Sequence, residues 1–128
     1  CETNLLTSVS ACGGCGNVCS APANAQATCS SGACGFSCNA NFGNCDGIDS
    51  NGCETDLLSS VAHCGACGRA CNGINGTPSC VNRAGALCLI ACNTGFGNCD
   101  SDTANGCETD ITTSNAHCGA CGRACCCR

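Results

Sequence analysis

The chain has 128 residues with 22 cysteines, three phenylalanines and no Trp, Tyr or Met. This is too little bulky apolar surface for a core to offset backbone ordering, and a cysteine density at which short chains read as disulfide scaffolds. A net charge of -5, with four arginines and no lysine, argues against nucleic acid or an anionic membrane as partner, because both demand clustered positive charge. No apolar run approaches the length of about 18 residues that a spanning helix needs, and a first residue other than Met leads us to expect an export signal removed upstream.

The chain opens on CETNLLTSVSACGGCGNVC, and this stretch recurs as CETDLLSSVAHCGACGRAC from Cys53 and as CETDITTSNAHCGACGRAC from Cys107. The copies start 52 and 54 residues apart, a period typical of beaded modules. Three segments follow: cysteine-rich repeat 1 at 1–52, repeat 2 at 53–106 and a partial repeat 3 at 107–128. Within each copy a first half-module runs from CET to the end of CGxCGxxC, and a second half-module carries the more variable cysteines.

In the first half-module, Asn4, Asp56 and Asp110 precede short runs that end at Gly13, Gly65 and Gly119. A capping residue before the run and a glycine after it predict a helix of one or two turns, with Leu57, Leu58 and Val61 as its apolar face in the second copy. The second half-module predicts β-hairpins: Ser31-Gly32 turns one and the segment Asn82 to Gly85 turns the other, with Leu87, Leu89 and Ile90 in the most apolar strand. Each full copy closes on Phe-Gly-Asn-Cys-Asp, with Phe42 and Phe96 as apolar plugs.

The expected fold class is therefore a small disulfide-rich tandem repeat, mostly irregular, with short β-hairpins and one- to two-turn helices in an elongated, rod-like architecture. Repeat 1 contributes Cys1, Cys12, Cys15, Cys19, Cys29, Cys34, Cys38 and Cys45, and repeat 2 contributes Cys53, Cys64, Cys67, Cys71, Cys80, Cys88, Cys92 and Cys99. Cys107, Cys118, Cys121 and Cys125 continue the pattern in repeat 3. All are candidate structural disulfides; an even number per repeat would let each close its bridges internally, and eight cysteines allow on the order of a hundred pairings. Cys126 and Cys127 have no counterpart in the other copies and are the candidates for intermolecular bridges. Such cysteine use places the chain in an oxidising compartment.

Two other chemistries fit the residue types. CGxCGxxC with His63 or His117 beside it has the spacing of a zinc or iron–sulfur ligand set, but the even cysteine count and the oxidising compartment favour disulfides. Asp46, Asp49, Asn51, Glu54 and Asp56, aligned with Asp100, Asp102, Asn105, Glu108 and Asp110, put oxygen donors around glycine turns as calcium requires; an Asn-Gly turn followed by a capped helix explains the same residues. No cofactor is therefore expected, calcium being the one candidate, and Asn75 in Asn-Gly-Thr is a candidate glycosylation acceptor on an exposed loop. No Ser, His and acid constellation recurs, so an enzyme is not expected.

NGCETD followed by HCGACGRAC resembles the cysteine-rich tandem repeats of large secreted bacterial proteins, and the CGxCGxxC core is similar to a motif of the stigma-specific secreted family of plants. The resemblance implies an extracellular location and a passive or adhesive role. The expectation is an extracellular structural protein whose stapled repeats assemble with copies of themselves, end to end, into a fibre or filament. The alternative is an adhesive or calcium-dependent binding module of a larger surface protein.

Overall fold

A computed structural model describes residues 4–125. They form four two-stranded antiparallel sheets and no helix, in two units that divide between Leu57 and Leu58. In the first unit, β1 (Ala25–Ser30) pairs with β2 (Ala33–Cys38), and β3 (Phe42–Gly43) pairs with β4 (Thr55–Asp56). In the second, β5 (Gly76–Asn82) pairs with β6 (Ala86–Cys92), and β7 (Phe96–Gly97) with β8 (Thr109–Asp110).

The turn residues set the hairpin registers. Ser31 and Gly32 both adopt left-handed backbone, with φ of 52° and 79°, the twist-matched geometry of a two-residue hairpin loop. That turn fixes Cys29 opposite Cys34. The β5–β6 loop is a residue longer, Arg83 to Gly85, and its register again sets two cysteines face to face, Cys80 and Cys88.

The expected helices are not formed among the described residues. After Asn4 the chain makes one turn, with the Ser8 amide donating to the Asn4 carbonyl at 3.0 Å, and then departs. The side chains that were to cap a helix instead close tight turns: Asn4 Oδ1 accepts from the Leu6 amide and Asp110 Oδ1 from the Thr112 amide. Backbone groups also find partners outside the run, Gly13 N donating to Leu5 O and Cys19 N to Val9 O. Nucleating a helix costs more than a few residues between staples can return, so local side-chain bonds win. The expected apolar face is correspondingly loose, with Val61 exposed.

Sulfur occupies the interior. Among the described residues the buried apolar ones are Ala11 and six cysteines: Cys12, Cys19, Cys53, Cys64, Cys71 and Cys107. Phe42 and Phe96 are half-buried rather than plugs, whereas Leu6, Val18, Ile48 and Ile74 lie exposed. No helix among the described residues is long and apolar enough to cross a membrane.

Candidate functional site

The CGxCGxxC loop has the same backbone in all three copies. Cys12 N donates to Asn17 O, Cys64 N to Arg69 O and Cys118 N to Arg123 O. The third loop cysteine ties back to the run before it, Cys19 N to Val9 O, Cys71 N to Val61 O and Cys125 N to Asn115 O. In the second and third copies a histidine reinforces the loop, His63 Nδ1 accepting from Gly68 N and His117 Nδ1 from Gly122 N, both at 2.9 Å. The histidines flagged as metal ligands are therefore loop clamps, and in the first copy the buried Ala11 stands in that position.

Each full loop is bolted to the hairpin that follows it. Cys12 bonds Cys29 and Cys19 bonds Cys34; in the next copy Cys64 bonds Cys80 and Cys71 bonds Cys88. The two bridges lie side by side, so that the sulfurs of Cys12, Cys19 and Cys34 all fall within 4.8 Å of one another, as do those of Cys64, Cys71 and Cys88. As disulfides these sulfurs have no thiolate charge to offer a metal, which binds the deprotonated thiol; they become a zinc-type donor set only on reduction.

Bridges also cross the repeat boundaries, contrary to the expectation that each repeat closes on itself. Cys38 bonds Cys53 and Cys92 bonds Cys107, each across 15 residues, and Cys99 bonds Cys121. Around the first two, the hairpin's leading asparagine adds polar bonds: Asn24 Nδ2 donates to Cys53 O and Asn75 Nδ2 to Cys107 O, both at 3.1 Å. The incoming strand answers with Cys53 N to Ala23 O and Cys107 N to Ile74 O. Gly52 and Gly106 permit the approach; both have left-handed φ, 85° and 89°, and a side chain on Gly52 would overlap the Ala23 backbone. The joint role of Asn24 and Asn75 is not among the sequence expectations, though an Asn one residue ahead of each hairpin is a usable signal.

Asn75, expected on an exposed loop, is half-buried, with its Nδ2 donating in that bond. Cys45 and Cys67 are in disulfides. Cys15, expected to be bridged, is an exposed free thiol. The third copy departs from the others, since Cys118 bonds Cys125 within its own loop. Cys1, Cys126 and Cys127 lie outside the described residues.

The acidic residues gather in two equivalent turns, and most of their oxygens are committed to protein donors. Asp46 Oδ1 accepts from Ile48 N and its Oδ2 from Asn51 Nδ2, both at 2.8 Å; Asp100 does the same with Asp102 N and Asn105 Nδ2. These bonds hold both carboxyls below the usual carboxylate range, the backbone amide contributing most. Glu54 is lowered chiefly by its own backbone amide, then by Thr55 and Cys45, and Glu108 by its own amide, then Cys99 and Thr109. Asp110 is lowered by the Thr112 hydroxyl and amide. Asp49 accepts from Asn44 Nδ2, and Asp102 Oδ1 from Ala104 N. Asp56 pairs in β4 opposite Phe42. The arrangement describes Asx turns fastened to the joint, with carboxylates facing backbone amides rather than converging on a shared centre.

Comparison with protein-family models, with curated proteins and with solved structures finds no match.

Proposed function

We propose that this is a non-catalytic structural protein of an extracellular, oxidising environment, whose stapled repeats form elongated units that assemble with copies of themselves, end to end, into a fibre or filament. The observation that carries this reading is the set of bridges across repeat boundaries, Cys38–Cys53, Cys92–Cys107 and Cys99–Cys121. They cross-link each repeat to the next beyond the peptide chain itself, which suits load bearing and persistence better than a free-standing binding domain. Disulfides at this density are typical of secreted proteins. Four arginines, Arg69, Arg83, Arg123 and Arg128, are the only sites for a trypsin-like protease, and their scarcity favours durability. A head-to-tail contact between identical units propagates into an open filament unless its rotation closes a ring.

The test is sedimentation velocity and negative-stain microscopy of the oxidised protein, alongside gels with and without reductant. Filaments, or a mass series built on the 12.4 kDa chain, are expected. A single species of one chain at every concentration would overturn the proposal.

A further inference from the structure

The paired disulfides of the first two copies gather more sulfur than a single bridge does. The Sγ atoms of Cys12, Cys19 and Cys34 lie within 4.8 Å of one another, and so do those of Cys64, Cys71 and Cys88. Cys29 is bonded to Cys12 and Cys80 to Cys64, so a fourth sulfur adjoins each trio. Four sulfurs around a zinc ion stand about 3.8 Å apart, given a Zn–S distance of about 2.3 Å. The unbonded sulfurs of each trio are no more than about 1 Å beyond that spacing. Once the S–S bonds are reduced, the former partners need to separate by only about 2 Å, a movement that side-chain rotation supplies.

Sulfur alone does not hold these groups in place. Cys12 N donates to Asn17 O at 2.8 Å, Cys19 N to Val9 O at 2.7 Å, and Gly32 N at the hairpin turn to Leu6 O at 3.2 Å. The turn places Cys29 opposite Cys34. In the second copy Cys64 N and Cys71 N make the equivalent loop bonds, both at 2.8 Å, and the hairpin register places Cys80 opposite Cys88. The frame of each cluster therefore contains bonds that a reductant does not touch.

We propose that in the reduced chain each cluster is a tetrathiolate zinc site, and that zinc held there templates the pairing of the bridges. Cys12, Cys19, Cys29 and Cys34 form one site, and Cys64, Cys71, Cys80 and Cys88 the other. An all-sulfur set selects a soft ion such as zinc over calcium or magnesium, which take oxygen. The two sites are unequal. Zinc with four thiolates is a net anion, and the Arg69 guanidinium lies against the second loop, 3.3 Å from where a Cβ on Gly65 would stand. The first loop has Asn17 at that position. A neighbouring cation favours the anionic site, so the second cluster binds zinc more tightly than the first.

The chain is made with its cysteines as thiols. Zinc displaces the protons of the four thiols in a cluster and binds the thiolates, with no change of oxidation state. A small-molecule disulfide of the glutathione class then oxidises the site. For each cluster two molecules of oxidant are reduced to four thiolates, two protein S–S bonds form, and the zinc ion leaves. Segregating four cysteines from the rest narrows their choice to the few pairings that four allow, against the very many open to the whole chain. The inference does not depend on filament formation, since it concerns the chain before its bridges close.

The experiment takes the full chain, reduced under argon by a phosphine, which gains an oxygen from water as each S–S bond becomes two thiols. Zinc is titrated in, and alkylation with peptide mapping reads each cysteine. Zinc is expected to protect the eight cysteines of the two clusters and to leave Cys38, Cys53, Cys92 and Cys107 open to alkylation. Cobalt in place of zinc should give the visible and near-ultraviolet bands of tetrahedral four-sulfur coordination. Cys12→Ser combined with Cys19→Ser should remove one metal equivalent and expose Cys29 and Cys34 while the second cluster stays protected. Cys38→Ser with Cys53→Ser should remove none. Arg69→Asn should weaken the second site roughly threefold in competition with a chromophoric chelator and leave the first unchanged. Oxidation of the zinc-loaded chain by glutathione disulfide should give Cys12–Cys29, Cys19–Cys34, Cys64–Cys80 and Cys71–Cys88 in several-fold higher yield than oxidation with a chelator present. Protection spread evenly over all cysteines, cobalt bands without four-sulfur character, or a metal equivalent that survives Cys12→Ser with Cys19→Ser would overturn the sites. Equal yields of the four bridges with and without zinc would overturn the templating, and an Arg69→Asn site of unchanged affinity would overturn the inequality of the two.

Discussion

Replacing both Cys38 and Cys53 by alanine removes one boundary bridge and nothing else covalent. The bridge spans 15 residues, and the chain-entropy relation for a loop of that length gives about 3 kcal/mol of stabilisation through the unfolded state. Cys53 is 0 % exposed, so loss of its sulfur adds roughly 1 kcal/mol of packing. The expected loss is near 4 kcal/mol, a large share of the roughly 5 to 15 kcal/mol that holds a typical domain. The bonds left at the joint, Asn24 Nδ2 to Cys53 O and Cys53 N to Ala23 O, are worth about 1 kcal/mol each and already contribute in the parent. Guanidinium unfolding without reductant, followed by far-UV circular dichroism, reads the change, with Cys15→Ala as a control that opens no bridge and should stay within about 0.5 kcal/mol of the parent. A loss below about 1 kcal/mol for the double variant would refute the reasoning and show that the polar bonds alone hold the joint.

Three further outcomes follow from the same geometry. Gly16 and Gly52 both have left-handed φ, 81° and 85°, but a side chain on Gly16 meets nothing while one on Gly52 runs into Ala23; calorimetry should give about 1 kcal/mol lost for Gly16→Ala and roughly 3 kcal/mol or more for Gly52→Ala. Asp46, Glu54, Asp100, Glu108 and Asp110 are all lowered from 3.8 or 4.5, so the folded state binds fewer protons than the unfolded chain in mild acid. Their stabilisation is complete above those unfolded values and disappears as pH falls through the lower folded ones; the Tm should drop below about pH 4, and less steeply when Asp46→Asn and Asp100→Asn are combined. His117→Ala leaves the Gly122 amide without its acceptor, which should cost about 1 kcal/mol and accelerate hydrogen exchange at Gly122, with no acceleration at Gly68.

The hairpins were legible because their turn chemistry is local. Ser31-Gly32 and the Asn82 to Gly85 segment announce themselves by residue type, and the strands between the cysteines are long enough to be read. The helices were misread for the opposite reason. Asn4, Asp56 and Asp110 are residues that cap a helix or close an Asx turn with equal ease, and what decides between them is the bridge on either side, which residue type does not reveal. Connectivity was illegible for a related reason: Cys38 and Cys53 belong to different repeats in sequence yet are neighbours in space. The acidic turns carried the residue types of a cation site, but only coordinates reveal that Asp46 and Asp100 spend both carboxylate oxygens on amide donors. Cys15 matches Cys67 and Cys121 in sequence, and nothing local marks it as the free thiol among the described residues.

The offset between the sequence period and the bridging pattern has a genetic consequence. Because Cys38 is answered by Cys53 and Cys92 by Cys107, the heritable unit of this architecture is one whole period cut at any single register. Unequal recombination that adds or removes a full period preserves every donor and acceptor. A gain or loss of part of a period that carries a cysteine separates a sulfur from its mate in the next copy. Selection on cysteine parity alone would therefore preserve the number and order of cysteines in each period, while the hairpin turns, whose tips carry no cysteine, remain free to gain and lose residues.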